Sequence, residues 1–145
     1  MFSEKELAYL KSQYLARLGT VSAKGQPTVD AVGFEFDGAR FYIGGIALPS
    51  SRKYKNVAAG NHRVSLIIDD LESVQPWKPR QIKVHGLAEI VKRAGRFGEK
   101  EYLAITPTVS WSFGIEEELN YQSGKFAPKK IIWTNPPAPV VADPA

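Results

Sequence analysis

The chain contains no cysteine among its 145 residues and only two histidines. The absence of thiols excludes disulfides, thiolate metal sites and cysteine nucleophiles, and it is compatible with a reducing compartment. No apolar run is long enough to cross a bilayer, and the N-terminus does not have the pattern of a signal peptide. From the sequence we therefore expect a cytoplasmic protein with a single domain.

The two histidines, His62 and His85, do not form a motif for side-chain catalysis. Neither belongs to an HExxH sequence or to an arrangement typical of a catalytic triad. Without thiols, the remaining metal ligands would be carboxylates, which suit hard cations at best. We therefore expect no metal site and interpret His85 as a structural or interface residue. The sequence leaves the catalytic side chain unknown.

The charge pattern argues against a nucleic-acid partner. The formal net charge is +4, but acidic blocks such as Asp69–Asp70 and Glu116–Glu118 lie between scattered cations. Nucleic-acid-binding proteins usually carry a basic stripe with interleaved aromatic residues, or a recognisable module. A local basic pocket for a small polyanion fits this distribution better.

Short strands separated by turn signals indicate a mainly β fold. A capping box formed by Ser3 and Glu6 predicts a short N-terminal helix. Hairpin turns are predicted at Ser22–Gly25 and at Asp37–Gly38, and the second turn would make the strands around it antiparallel neighbours. These signals cover the first third of the chain.

Longer strands are predicted in the second half of the chain. A polar connection that contains Pro76 and Pro79 leads to a strand from about Gln81 to Lys92. The segment Arg93–Lys100 is rich in glycine and charge, so a loop or short helix is predicted there. Alternation of Trp111 with Phe113 predicts that Tyr102–Ile115 forms the last barrel strand.

The C-terminal end contains one further β-like segment and a tail. Lys130–Trp133 is predicted to pair at a sheet edge. Residues 134–145 contain four prolines and no periodicity, and we expect them to be disordered. The predicted domain therefore covers residues 1–133.

Two serines and three cations lie where a predicted strand leads into a predicted helix. They belong to the run Ser50–Asn56. A helix start offers unpaired N–H groups and a positive dipole end, and nearby cations would complete a phosphate site. The strand before it ends in Gly44 and Gly45, which would let a planar ligand approach the backbone. The alternative is an ordinary solvent-exposed helix with a serine cap.

Two sets of segments carry a resemblance to known proteins. The first set is Leu18–Val21, Lys24–Gly25, Pro27–Phe34, Ser51–Lys53 with Asn56, Val64–Leu66 and Val84–Glu89. Their order resembles the pyridoxamine 5′-phosphate oxidase-like, or flavin-reductase-like, split β-barrel proteins. The second set is Asp69–Ser73 with Pro76–Trp77, Ile105–Pro107 and Val109–Glu116. Through these segments the chain looks closest, within the family, to the proteins that use the deazaflavin coenzyme F420.

The resemblance implies a split β-barrel of six or so antiparallel strands with a few short helices. It also implies a homodimer with the cofactor at the subunit interface. The phosphate-side positions would be Ser50, Ser51, Arg52, Lys53 and Asn56, with Lys55 as an added cation. The ring would be lined by Val29, Ala31, Val32, Gly33, Ile43, Gly44 and Gly45. Trp77, Lys78 and Arg80 would reach across the interface.

The function implied is a coenzyme F420-dependent oxidoreductase that passes a hydride from reduced deazaflavin to a small electron-poor acceptor. The glutamate tail of coenzyme F420 would favour the extra cations Lys55, Lys78 and Arg80. Alternatives are an FMN-binding flavoprotein and a non-catalytic protein that binds flavin, deazaflavin or haem. True pyridoxamine phosphate oxidase activity is not expected, because residues 116–145 contain neither arginine nor histidine. The C-terminal Arg-x-His arrangement of those oxidases is therefore missing.

Overall fold

The fold begins with a short helix, α1 (Glu4–Ser12), in a computed structural model that describes residues 1–117 and 127–133. The predicted capping box is present at its start. The Ser3 hydroxyl accepts a hydrogen bond from the Glu6 N–H at 3.2 Å, and the Glu6 carboxylate accepts one from the Ser3 N–H at 3.0 Å. Both bonds satisfy N–H groups that the helix itself leaves unpaired.

Eight strands and a second helix make up the rest of the described chain. The strands are β1 (Leu15–Val21), β2 (Pro27–Gly33), β3 (Glu35–Phe36), β4 (Phe41–Ile43), β5 (Arg63–Ser73), β6 (Lys78–Gly95), β7 (Gly98–Phe113) and β8 (Lys129–Ile132). A 3₁₀ turn (Leu48–Ser50) and helix α2 (Arg52–Ala58) lie between β4 and β5.

The strands form one antiparallel sheet in the order β2-β1-β5-β6-β7-β4-β3. Strand β8 pairs with Val109–Ser112 of β7, on the side opposite to β6. Only Phe34 separates β2 from β3, although these strands lie at opposite ends of the order. The two ends of the sheet therefore meet at Phe34, which closes the sheet into a barrel. The mainly β split-barrel prediction is confirmed, with eight strand segments where six or so are predicted.

The core fills the inside of the barrel with side chains from alternate strand positions. Leu18 pairs with Leu66 and Leu66 with Val84, so these three side chains form a row across β1, β5 and β6. Each of them is at most 1% exposed. At one end the Phe2 ring packs edge-on against Phe36, with 5.4 Å between ring centroids. Strand positions between these core residues point outward.

An outward-pointing row runs across six strands on the other face of the sheet, and we call it the outer row. Strand register places its members side by side: Val29, Gly19, Ser65, His85, Val109 and Ile132. Val29 is 67% exposed and Ile132 is 65% exposed at its two ends. The structure thus leaves apolar side chains uncovered on this face.

Two sequence predictions about connections are wrong. Arg93–Lys100 is neither a loop nor a short helix, because β6 continues to Gly95 and β7 starts at Gly98 after a tight turn. Likewise, β5 extends to Ser73 and β6 starts at Lys78, which leaves only a short turn where a polar connection is predicted. In both places hydrogen bonds to the neighbouring strand hold polar residues in extended conformation.

The remaining predictions about elements have mixed outcomes. The Asp37–Gly38 turn joins β3 to β4 as predicted, but β2 itself pairs with β1. The edge strand predicted at Lys130–Trp133 is confirmed as β8. The predicted disordered tail, residues 134–145, lies outside the described residues. Among the helices that the structure describes, none has the length and apolar character needed to cross a membrane.

Candidate functional site

The run Ser50–Asn56 forms the end of the 3₁₀ turn and the start of α2. Ser51 caps this helix, because its hydroxyl oxygen accepts a hydrogen bond from the Tyr54 N–H at 3.3 Å. The Ser51 hydroxyl also donates to the Leu48 carbonyl at 2.6 Å, and the Ser50 hydroxyl donates to the Ala47 carbonyl at 2.9 Å. Either serine would have to turn its hydroxyl to donate to a ligand oxygen.

Three cations on α2 lack acidic partners in the described part of the chain. Arg52, Lys53 and Lys55 make no ion pair or hydrogen bond there through their side chains. The nearby Glu101 carboxylate accepts a hydrogen bond from the Tyr54 hydroxyl at 2.6 Å. The start of α2 therefore presents positive charge that is available to an anion.

Asn56 is in a different environment from these cations. Its side chain is 2% exposed, and its amide nitrogen donates to the Thr20 hydroxyl at 3.0 Å. This bond connects α2 to β1 inside the barrel. Because a buried amide needs such a partner, Asn56 helps to position α2 whether or not it also meets a ligand.

The predicted ring-lining residues divide by the direction of their side chains. Val29, Ala31 and Gly33 lie on the outer face of β2, and a side-chain carbon added at Gly33 would find no atom within 4 Å. Val32 is 6% exposed and Ile43 is 0% exposed, so both side chains belong to the core. These two residues can present only their backbone to a ring.

The two glycines after β4 are not equivalent. A side-chain carbon added at Gly44 would lie 2.5 Å from the Tyr102 ring, whereas one added at Gly45 would meet no atom within 4 Å. Tyr102 is itself held by hydrogen bonds, since its hydroxyl accepts from the Phe97 N–H and donates to the Gly98 carbonyl. Backbone approach by a planar ligand is therefore open at Gly45 and covered at Gly44.

Trp77, Lys78 and Arg80 lie near the β5–β6 turn, far from α2 in the same subunit. The residue after α2 that contacts β6 is His62, whose carbonyl accepts from the Ala88 N–H at 2.7 Å. An extended strand from Ala88 back to Lys78 spans roughly 33 Å. Within one chain the structure does not bring these three residues to the cation cluster.

Arg80 is already engaged. Its guanidinium donates two hydrogen bonds to Asp70, at 2.9 and 2.6 Å, and the Tyr9 hydroxyl donates to the same carboxylate at 2.9 Å. These contacts, led by the bond from Arg80, hold the pKa of Asp70 below its ordinary value. Such a bidentate pair leaves Arg80 little capacity for a ligand carboxylate.

A groove on the outer face contains residues that sequence reasoning missed. It encloses about 670 Å³ and is lined by Val29 together with Gly19, Ser65 and Gly86. Gly19 and Ser65 take outward positions on β1 and β5, whereas Gly86 is buried at a β-bulge in β6. Small residues at outward strand positions were the available signal, but outward direction depends on strand register.

The two histidines make their described contacts with strands of the sheet. His85 is exposed and packs edge-on against Trp111, with 4.8 Å between ring centroids. His62 has its Nδ1 2.9 Å from the Ala88 carbonyl oxygen. In residues 1–117 and 127–133, no three histidine, aspartate or glutamate side chains are grouped so that they could hold a metal ion.

Comparison with known proteins decides the family. The model of the pyridoxamine 5′-phosphate oxidase family matches residues 2–136. The chain belongs to the pyridoxamine 5′-phosphate oxidase family. A relative, a 5a,11a-dehydrotetracycline/5a,11a-dehydrooxytetracycline reductase from Streptomyces rimosus, is 36% identical over 125 residues. That match covers 82% of this chain and 87% of the reductase.

Solved structures of similar fold include proteins with different functions. An F420 reductase matches with a TM-score of 0.60 and 24% identity, covering 76% of this chain and 98% of that one. A haem-binding protein from Mycobacterium smegmatis matches with a TM-score of 0.63 and 14% identity, covering 91% of this chain and 59% of that one. At these identities the likeness establishes only the fold, the split barrel, and not a function.

Proposed function

We propose that this protein is a coenzyme F420-dependent oxidoreductase that reduces a small electron-poor acceptor. The observation that carries the proposal is the cluster of Arg52, Lys53 and Lys55 at the start of α2, which have no acidic partner among the described residues and follow the open backbone at Gly45. A family that uses flavin-type cofactors and a relative that is a reductase support oxidoreductase chemistry.

The residues fit a ligand that combines a planar ring with an anionic tail. When bound, reduced coenzyme F420 would supply the hydride for the reaction. Arg52 and Lys53 would bind its phosphate through charge-assisted hydrogen bonds, and Lys55 would add positive charge for its carboxylates. The open backbone at Gly45 and the outer face of β2 would hold the ring and shield it from water.

We also propose that the protein is a homodimer and that the cofactor site lies at the subunit interface. The outer face exposes Val29, Leu87 and Ile132 by 67%, 48% and 65%. Uncovered apolar area of this kind is typical of an interface. A second subunit would also explain how Trp77 and Lys78 could reach a site distant from them in their own chain. Sedimentation equilibrium should give twice the 16.0 kDa mass of one chain, and a monomer mass would refute this arrangement.

FMN is the second candidate cofactor. It ends in a single phosphate and needs fewer cations than coenzyme F420. Arg80, one of the three extra cations predicted for the longer tail, is bound to Asp70 at 2.6 Å. This ion pair occupies one of the cations expected to bind the tail of coenzyme F420, and in that respect it favours FMN. Lys55 has no acidic partner among the described residues and could still bind that tail. A carrier that binds the cofactor without turnover would use the same cations.

Titration of the full-length protein with coenzyme F420 and, in parallel, with FMN tests the proposal. We expect tight binding of coenzyme F420, followed by oxidation of its reduced form when an electron-poor acceptor is added. Tight binding of FMN alone would move the protein to the flavoprotein branch of the family. Binding without turnover would indicate a carrier, and binding of neither cofactor would refute the proposed function.

Gly45→Val is expected to raise the dissociation constant of coenzyme F420 at least about tenfold, because the new side chain would fill the space assigned to the ring. The melting temperature should change little, since a side-chain carbon at Gly45 meets no atom within 4 Å. Gly44→Ala is the matched control. It should lower the melting temperature, because its side chain meets Tyr102. Unchanged affinity in Gly45→Val would place the ring elsewhere.

A further inference from the structure

A second cavity lies at one end of the barrel, between α1 and the segment that runs from the end of β2 into the β3–β4 turn. It encloses about 530 Å³. Pockets that bind small molecules commonly measure about 300–1,000 Å³. The cavity shares no residue with the cation cluster on α2.

The walls of this cavity are mostly apolar and aromatic. Leu7 and Leu10 come from α1, Phe34 and Phe36 come from the barrel, and Tyr14 stands at the margin. Leu10 and Phe34 are 3% and 6% exposed, so the packed core fixes one side of the cavity. Tyr14 is 76% exposed and can lie over a bound ring without disturbing the core. Such walls suit an aromatic or polycyclic ligand.

The charged residues that line the rim of the cavity are two cations and two carboxylates, and they differ in whether they already have partners. Its two carboxylates are satisfied: Glu35 accepts from Arg93 and from the Arg96 N–H, at 3.4 and 3.2 Å. Asp37 accepts from the N–H groups of Ala39 and Arg40 and from the Tyr42 hydroxyl, each at 2.8 Å.

The two cations at the same rim are in the opposite situation. Across the residues that the structure describes, the side chains of Lys11 and Arg96 make no hydrogen bond or ion pair. Both are exposed. The charged side chains that are still able to bind a ligand at this rim are therefore the two cations, and they can donate to an anionic group beside the apolar body.

We infer that this cavity binds an aromatic or polycyclic small molecule that carries an anionic group, such as a carboxylate or an enolate. Phe34 directly follows Gly33, so the cavity begins where the strand assigned to the cofactor ring ends. A molecule bound there would lie beside the end of that strand, and its role would be that of the hydride acceptor. The acceptor role rests on the proposed function, whereas binding by the cavity does not.

Two fluorescent probes that differ chiefly in charge test the inference on the full-length protein without cofactor. The anion 8-anilino-1-naphthalenesulfonate and the neutral N-phenyl-1-naphthylamine share one aromatic body. We expect Lys11→Glu and Arg96→Glu each to raise the dissociation constant of the anion about fivefold and to leave that of the neutral probe unchanged. Tyr14→Ala should weaken the binding of both probes.

Lys24→Glu is the matched control, because Lys24 is an exposed cation in the β1–β2 turn and does not line the cavity. It should alter neither affinity. Equal weakening by Lys24→Glu would indicate a general effect of net charge, and unchanged affinities in all three cavity variants would overturn the inference. Circular dichroism of each variant checks that it is folded. We expect all of them to fold, because the substituted side chains are exposed.

Failure of this site and failure of the proposed function can be told apart. If the cavity variants discriminate between the probes while neither coenzyme F420 nor FMN binds, the cavity assignment stands and the cofactor assignment is wrong. If coenzyme F420 binds tightly and neither Lys11→Glu nor Arg96→Glu changes the affinity for the probes, the cofactor assignment stands and the cavity assignment is wrong.

Discussion

Arg52→Ala and Lys53→Ala are each expected to raise the dissociation constant of coenzyme F420 by about 10- to 150-fold. This corresponds to about 1.5–3 kcal/mol, the range for a hydrogen bond to a charged group. Both side chains lack acidic partners in the part of the chain that the structure describes, so their removal should affect the ligand and leave other contacts in place. Fluorescence titration of the purified variants measures the change.

Lys24→Ala is the control for this pair, since it removes an equal charge from the exposed β1–β2 turn, which is not part of the predicted site. It should leave the affinity for coenzyme F420 within about twofold of the original value, because salt and water screen an exposed charge that does not contact the ligand. Increasing the salt concentration should weaken cofactor binding by the original protein more than cofactor binding by Arg52→Ala. Unchanged affinity in both α2 variants would show that the cofactor phosphate does not lie at the start of this helix.

Glu6→Ala is expected to lower the free energy of unfolding by about 3 kcal/mol and the melting temperature by about 10 °C. Glu6 is 1% exposed, although it is a charged residue on α1. Its carboxylate accepts hydrogen bonds from Ser112 on β7 at 2.8 Å and from Lys129 on β8 at 2.7 Å. The estimate lies at the low end for a buried pair, because Lys129 is 41% exposed and water can replace its partner.

The contribution of Glu6 should depend on pH in a defined direction. Burial alone would raise its pKa, but the bonds from Lys129, the Ser3 N–H and Ser112 outweigh burial and lower the pKa below 4.5. A lowered folded-state pKa adds stability above the ordinary value, and this stability is lost as the pH falls through the folded value. Thermal melts of the protein and of Glu6→Gln should therefore converge in acid and differ most at neutral pH.

Glu6→Gln separates charge from packing, because it keeps the shape of the side chain and the bond to the Ser3 N–H. It should cost less stability than Glu6→Ala. Equal melting temperatures for the original protein and Glu6→Ala would mean that the α1–β7–β8 network does not stabilise the fold. Chemical denaturation monitored by tryptophan fluorescence gives the same comparison as a free energy.

Several elements could be predicted from neighbouring residues alone. The capping box of Ser3 and Glu6, the Ser51 cap and the turn at Asp37–Gly38 depend on groups a few residues apart, and all three are present. The barrel could be predicted because alternating apolar residues define which face of each strand is buried. The hairpin that contains Arg93–Lys100 could not, because polar residues become a strand there only through pairing with β7.

The candidate site divides in the same way. A glycine before a cation-rich helix is visible in the sequence, but the difference between Gly44 and Gly45 comes from Tyr102, which reaches the first glycine from β7. Whether a cation is available also depends on distant acids. Register across β5 and β6 places Arg80 opposite Asp70, whereas no described acid stands opposite Arg52.

The sequence by itself determined the fold family, the capped helices and the position of the cation cluster, because each depends on local order and spacing. Only the tertiary structure decided which cations stay available, which glycine is open and why a glutamate on α1 is buried. The partners of Glu6 lie 106 and 123 residues further along the chain. Contacts at such separations arise when the sheet closes into a barrel, and local sequence patterns do not encode the resulting neighbours.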